Sequence, residues 1–178
     1  MTKLLEEIRK SDRKPKDLLN YLTELIRKDK KLLQDLEVSI QSTKDAERGI
    51  CMEALEYITH ENPEYAAPHL KTIITSLSDK APRVKWEAAR IMGNIAKKYS
   101  EEALGAIPNL MKNTNDKGTV VRWSAAFGLT EIAIYNSKAA NKLIPEFEKI
   151  IKKEKNNGVK NVYLKALKKL KIISASLK

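Results

Sequence analysis

The chain has 178 residues and a formal net charge of +11, with 32% charged and 42% hydrophobic residues. This length suffices for one domain with its own hydrophobic core, while 6 Gly and 6 Pro are too few for the many tight turns of an all-β sandwich. The single cysteine, Cys51, excludes an internal disulfide, and no run of about 18 apolar residues could span a bilayer. We therefore expect a single helical domain over residues 1–178 in the cytoplasm, with no membrane partner.

The first part of the chain has amphipathic patterns but no clear repeat. Apolar residues at helical spacing predict helices over residues 2–12 and 15–28. The interval between them is short, so the two helices are expected to form an antiparallel pair. We interpret residues 1–42 as divergent N-terminal capping pairs of a larger array.

A tandem repeat becomes visible in the middle of the chain. The segment 79–89, DKAPRVKWEAA, aligns with the segment 116–126, DKGTVVRWSAA, and the Asp, Lys, Val, Trp and both Ala residues coincide. The register extends more weakly to Arg48 one repeat earlier and to Lys160 one repeat later. Repeats of this length indicate stacked supersecondary units. They are best defined over residues 43–155, and a C-terminal capping helix is predicted over 156–178.

Each repeat contains two predicted helices. In the second helix of one unit the apolar residues Val84, Ala88, Met92 and Ile95 fall on a single stripe. An isolated pair could not bury this stripe, so neighbouring pairs are expected to bury it jointly. The pattern predicts an all-α solenoid of about ten helices in five antiparallel pairs.

The arrangement of Pro, Asp, Val, a basic residue and two Ala within each unit resembles HEAT repeats of the armadillo-like family. The residues that carry the resemblance are Pro108, Asp116, Val121, Arg122, Ala125 and Ala126, and one repeat earlier Pro68, Asp79, Val84, Lys85, Ala88 and Ala89. The resemblance implies a right-handed α-α superhelix. It also implies a structural ladder between repeats that involves Asp79, Lys85, Asp116 and Arg122. The Arg48 unit departs from the pattern, with Ser42 at the Asp position and Glu47 at the Val position.

The second helices line the concave face in the HEAT family, and several large side chains project there off the buried stripe. At about 100° per residue these are Trp86, Arg90, Lys97, Trp123, Phe127 and Ile134. Trp and Arg are enriched in binding hot spots, so this set predicts a concave groove for a peptide or partner helix. In the alternative interpretation each Trp packs on the next repeat and fills the gap left by Gly93 or Gly128.

The positive charge is concentrated at the C-terminal end. Residues 149–178 contain ten Lys, no Arg and one acid, Glu154. Lys160, Lys165 and Lys168 are candidate contacts to phosphate or to an acidic partner, and a nucleic-acid-binding solenoid is the alternative function. The shape also resembles DNA alkylation-repair glycosylases, which place an Asp one turn after a groove Trp. Arg90 and Phe127 occupy those places here, so glycosylase activity is not expected.

Residues that could carry other chemistry are few. His60 and His69 lack metal-ligand partners at suitable spacing, and Cys51 falls at a core position. Glu53, Glu56 and Glu87 are interpreted as ordinary helix-surface carboxylates. We predict no catalytic residue, metal or cofactor. The sequence favours a monomeric protein-interaction scaffold whose partner is another protein, with a nucleic acid as the alternative partner.

Overall fold

The computed structural model describes residues 2–176, which form ten α-helices and three short 3-10 helices. The α-helices are α1 Lys3–Lys10, α2 Pro15–Lys28, α3 Leu32–Ser39, α4 Asp45–Thr59, α5 Leu70–Ser76, α6 Pro82–Ile95, α7 Ile107–Asn113, α8 Thr119–Tyr135, α9 Ser137–Lys153 and α10 Asn157–Ser176. The 3-10 helices Pro63–Tyr65 and Ala67–His69 precede α5, and Glu102–Ala106 precedes α7. Met1 and residues 177–178, the last two of the predicted C-terminal cap, lie outside the described residues.

Local sequence chemistry sets several helix boundaries. The Thr2 hydroxyl accepts a hydrogen bond from the Leu5 N–H at the start of α1, and the Asn136 side chain accepts one from the Ala139 N–H at the start of α9. Pro82 is the first residue of α6, where its missing N–H leaves no intrahelical bond unmade. These signals divide the chain into short helices that must pack on one another to be stable.

The helices form two layers. The second helices of successive pairs, α2, α4, α6, α8 and α10, contact one another in chain order, and these include the most extensive contacts in the molecule. The first helices, α1, α3, α5, α7 and α9, cover one side of this series. Open clefts separate α3 from α5 and α7 from α9. Because the first helices cover only one side of the second helices, we call the first helices the outer layer and the uncovered side of the second helices the inner face.

Small residues let the second helices approach closely. Four alanines of α6 and α8 are fully buried: Ala88, Ala89, Ala125 and Ala126. At Gly128 an added Cβ would lie 2.8 Å from the carbonyl oxygen of Ala89, so only glycine fits between α6 and α8 at this point. The predicted all-α solenoid of five helix pairs is confirmed.

An ion pair crosses each boundary between neighbouring helix pairs. The pairs are Arg9–Glu47 at 2.8 Å, Arg48–Asp79 at 2.8 Å, Lys85–Asp116, and Arg122–Glu154 at 2.8 Å. The predicted ladder residues thus bond to the adjacent repeat, and Arg48 and Glu154 supply the partners that the repeat alignment left unassigned. The bound guanidinium groups hold the pKa values of Glu47 and Glu154 below the ordinary range.

The first ion pair of the ladder, Arg9–Glu47, is built differently from the others. Ser42 occupies the position where later repeats have Asp, and its hydroxyl donates to Glu47 Oε2 at 2.6 Å. Glu47 accepts two further bonds from Arg9, at 2.8 and 2.9 Å. The carboxylate therefore comes from the start of α4 and not from the preceding turn, and Arg9 lowers its pKa to about 2.

Candidate functional site

The inner face of α8 carries exposed apolar side chains. Val120 is 52% exposed and Trp123 is 40% exposed, both high values for large apolar residues. The Trp123 and Phe127 rings stack with centroids 6.0 Å apart and planes 9° from parallel. This arrangement presents a rigid aromatic surface to solvent, of the kind that anchors a binding partner.

Phe127 is held in place by a glycine on the neighbouring helix. A Cβ added at Gly93 would lie 2.4 Å from Phe127 Cε1, so the ring occupies the space that a side chain on α6 would need. The gap predicted at Gly93 is therefore filled by Phe127 and not by a tryptophan. Because Phe127 is fixed against α6 on one side, it supports Trp123 in its exposed position on the other.

A groove of about 310 Å³ runs between α8 and α10. Its walls are Trp123, Phe127, Thr130 and Glu131 from α8 and Gly158, Asn161, Val162, Lys165, Ala166 and Lys169 from α10. No residue of the outer-layer helices α7 and α9 contributes to these walls, so the groove opens on the inner face. We call it the α8–α10 groove.

One carboxylate lies inside this groove. Glu131 is half-buried, and burial raises its pKa above the ordinary range while the nearby charge of Lys169 opposes the shift. Lys169 Nζ also lies 5.6 Å from the centre of the Tyr135 ring. The groove therefore combines an aromatic wall, two lysines and one partly desolvated carboxylate.

The equivalent surface between α4 and α6 is closed by its own side chains. Arg90, one turn after Trp86, pairs with Glu56 at 3.0 Å and with Glu87 at 3.3 Å. The Trp86 indole N–H donates to Glu87 Oε1 at 2.7 Å, and Trp86 is only partly exposed. Arg83 pairs with Glu53 one turn earlier. Both guanidinium groups at this boundary are therefore paired within the molecule.

The prediction that Glu56 and Glu87 are surface carboxylates was wrong. Glu87 is 2% exposed and Glu56 is 3% exposed, because α4 and α6 cover both side chains. Burial raises the pKa of Glu87 to about 7, against the opposing effects of the Trp86 hydrogen bond and the Arg90 charge. Glu56 also bonds His60 Nε2 at 2.7 Å.

Several solved structures with similar folds are engineered proteins. One engineered protein matches with a TM-score of 0.70 over 85% of this chain, at 22% identity, and this chain covers 66% of its length. A second engineered protein matches with a TM-score of 0.74 over 94% of this chain and 79% of its own length, at 20% identity. A designed armadillo repeat protein, solved in complex with the peptide (KR)4, matches with a TM-score of 0.70 over 93% of this chain and 80% of its own length, at 18% identity.

The chain folds as an armadillo-like solenoid. The resemblance to HEAT and armadillo repeats that the sequence indicated is confirmed at the level of fold. Neither a protein-family model nor a curated protein matches the sequence. Two further structural neighbours are also designed armadillo repeat proteins.

The remaining predicted contact residues lie at different places on the solenoid. Lys97 follows the end of α6 and is exposed, whereas Ile134 is half-buried against the core. Lys165 lines the α8–α10 groove, and Lys168 is exposed near it on the same helix. Lys160 occupies the ladder position of α10, equivalent to Arg122 of α8, and is half-buried.

Four further residues of the inner face were not identified from the sequence. Val120, Glu131, Asn161 and Lys169 project at the same helical angles as Trp123 and Phe127, within about 80°. The signal that could have found them is the repeat register, because Asn161, Lys165 and Lys169 stand 38 positions after Trp123, Phe127 and Glu131.

The cysteine and one of the two histidines are buried in the structure. Cys51 is fully buried, and burial raises the pKa of its thiol to about 12. His69 is buried and bonds Glu37 at 3.2 Å. Within residues 2–176 no three His, Cys, Asp or Glu side chains cluster closely enough to hold a metal ion. No helix in the same range has the length and hydropathy to cross a membrane.

Proposed function

We propose that this armadillo-like solenoid is a non-catalytic scaffold that binds a peptide or a partner helix on its inner face. The observation that carries the proposal is Trp123, 40% exposed and stacked on Phe127 beside the α8–α10 groove. A partner that covers these rings would remove a large apolar area from water, which favours binding. Packing of the core does not require the exposed Trp123 ring, because Phe127 already fills the space beside Gly93. An interaction surface explains the exposure of Trp123.

The structural neighbours support this type of function. One of them, a designed armadillo repeat protein, was solved with a bound (KR)4 peptide. The Asp that DNA alkylation-repair glycosylases place one turn after a groove Trp has no counterpart here, because Arg90 and Phe127 stand one turn after Trp86 and Trp123. We therefore assign the inner face, and Trp123 in particular, to partner binding.

A nucleic-acid-binding solenoid is the second candidate, and the lysines of α10 favour it. Lys165 lines the same groove as Trp123, so a phosphate and a stacked base could be contacted together. Binding of that kind weakens steeply with salt. The absence of Arg over residues 149–178 favours a protein partner, because Arg provides the bidentate phosphate and base contacts.

We also propose an oligomeric state and a cellular location for the scaffold. We propose a monomer in the cytoplasm, where its single thiol, buried at Cys51, has no disulfide to form. Residues 1–42 and α10 are proposed to cap the array formed by residues 43–155. A cap of this kind is tested by deleting residues 1–42, which should expose apolar surface on α4 and promote self-association measured by light scattering.

The test of the main proposal is a selection of peptides from a random library, followed by affinity measurements on single variants. Trp123→Ala should weaken binding by about thirtyfold, the size expected for an exposed aromatic hot spot. Trp86→Ala should weaken it less, because Trp86 is partly covered and bonds Glu87. Val38→Ala removes an apolar side chain that is 58% exposed, more than Trp123, from outer-layer helix α3 and serves as the control. A folded Trp86→Ala, Trp123→Ala double variant that binds unchanged would contradict the proposal.

A further inference from the structure

The charges of the inner face are distributed unevenly between its two halves. Toward α4 and α6 the basic side chains Arg83 and Arg90 bond Glu53, Glu56 and Glu87. On α10 the situation is different. Within residues 2–176, Lys165, Lys168 and Lys169 take part in no ion pair. Lys169 already lies over the Tyr135 ring, and its charge acts on Glu131. Lys165 has no such neighbour among these groups, so the two lysines of the α8–α10 groove outnumber its one carboxylate and leave net positive charge for a partner.

The groove presents apolar and basic surfaces side by side. Trp123 and Phe127 form its apolar wall on α8, while Lys165 and Lys169 stand on the facing wall of α10. Lys168, the residue before Lys169, is a third exposed lysine of α10. An apolar side chain could cover the aromatic wall while carboxylates meet the ammonium groups, a complementarity that favours specificity and fast association.

We propose that the α8–α10 groove binds an acidic peptide segment that carries an apolar anchor residue. This inference rests on the proposed scaffold function and names the chemistry of its partner. The anchor packs on Trp123 and Phe127, and the flanking acidic residues pair with Lys165 and Lys169. The preference is opposite in charge to the (KR)4 peptide of the structural neighbour.

The groove's own carboxylate separates the acidic peptide from a nucleic acid. Glu131 is half-buried and lines the groove together with the aromatic wall and Lys169. A nucleic acid carries one negative charge on every phosphate, so its backbone would bring like charge close to this carboxylate. A peptide can place an uncharged residue and a backbone N–H next to Glu131. The observations therefore favour a peptide with spaced acidic residues over a continuous polyanion.

The experiment uses Trp123 fluorescence in a Trp86→Phe variant, which has a single tryptophan. The probes are a peptide of about eight residues with a central Leu-Phe pair flanked by Glu, the same peptide with Lys for every Glu, and a single-stranded oligothymidylate of about eight nucleotides. The acidic peptide should shift the Trp123 emission and bind at least tenfold more tightly than the Lys peptide at physiological salt, because the unpaired ammonium groups attract one and repel the other.

Variants assign the effect to the groove. Lys165→Glu with Lys169→Glu should weaken binding of the acidic peptide by at least tenfold. Lys142→Glu with Lys152→Glu makes the same change of net charge on exposed residues of outer-layer helix α9 and should change it by less than about threefold through screened long-range effects. Glu131→Gln should strengthen binding of the acidic peptide, because it removes a like charge from the groove.

The outcomes separate this inference from the scaffold function on which it rests. Tighter Trp123-dependent binding of the Lys peptide would overturn the acidic preference and leave the scaffold standing. Tighter binding of the oligothymidylate would overturn it in favour of the nucleic-acid candidate. If none of the three probes binds, the acidic preference is overturned, and the scaffold function then depends on the random-library selection.

Discussion

The boundary between α4 and α6 and the α8–α10 groove are built from corresponding positions of the repeat, yet they have opposite character. Arg90 of α6 corresponds to Phe127 of α8 and to Lys165 of α10. Arg90 is bonded to Glu56 and Glu87, Phe127 is fixed against Gly93, and Lys165 remains without an ionic partner among the described residues. The residue that faces a repeat position on the neighbouring helix therefore decides whether the side chain at that position is paired within the molecule or left exposed.

The largest effect should come from breaking the closed boundary. Arg90→Leu would leave the buried carboxylates of Glu56 and Glu87 without their cation, which costs about 3 kcal/mol or more of the free energy of unfolding at pH 8. Lys165→Leu, the corresponding change in the open groove, should cost less than about 0.5 kcal/mol. Urea denaturation of both variants measures the difference. Equal losses in the free energy of unfolding would mean that Arg90 contributes no more to stability than Lys165 does.

The pH dependence of stability should sharpen the same contrast. The folded-state pKa of Glu87 is raised from 4.5 to about 7, so Glu87 favours the folded state fully below pH 4.5, and this contribution is lost as the pH rises through 7. Relative to the unchanged protein, Glu87→Gln should therefore gain stability between pH 4.5 and 8, by up to about 3 kcal/mol. Urea midpoints over this pH range provide the measurement.

Glu47 provides the control of opposite sign. Its pKa is lowered to about 2 by Arg9 and Ser42, so its contribution is present above pH 4.5 and is lost as the pH falls through 2. Glu47→Gln should be destabilised at pH 7 and approach the unchanged protein below pH 2. A Glu87→Gln difference that does not vary between pH 4.5 and 8 would mean that Glu87 stays ionised in the folded protein.

The sequence was sufficient to predict the fold and the repeat register. The 37-residue spacing and the apolar stripe identify the helix pairs because core residues recur wherever neighbouring pairs meet. The ladder positions were also visible, since Asp79, Asp116 and their basic partners recur in register. Glu154 was not assigned to the ladder because its repeat is one residue longer, 38 between Arg122 and Lys160 against 37 between Lys85 and Arg122.

The difference between Trp86 and Trp123 could not be predicted in the same way. A helical projection gives the direction of a side chain from its own helix, and the two tryptophans have the same direction. Their exposure depends on what stands beside them. Trp86 bonds Glu87, a buried acid, whereas the residue after Trp123 is Ser124, whose short side chain leaves the indole N–H without that acceptor. The burial of Glu56 and Glu87 was missed for the same reason, because it depends on the neighbouring helix.

The smallest effect extends the comparison to the ladder position of the same two helices. Arg122 of α8 bonds both carboxylate oxygens of Glu154, at 2.8 and 3.2 Å, whereas Lys160 at the equivalent place on α10 has no ion pair within the described residues. Arg122→Gln should lower the free energy of unfolding by about 1–2 kcal/mol, since a partly buried charged bond is lost. Lys160→Gln should change it by less than about 0.5 kcal/mol.

Urea denaturation at pH 7 measures both ladder variants, and the salt dependence of the result identifies its cause. If the Arg122 bond is ionic and partly shielded from solvent, its loss should remain measurable when the salt concentration is raised, since partly buried pairs are screened little. An equal loss in Lys160→Gln would mean that α10 has a ladder partner of its own. In that case its lysines would belong to the closed part of the solenoid, and the positive charge of the α8–α10 groove would no longer be available to a partner.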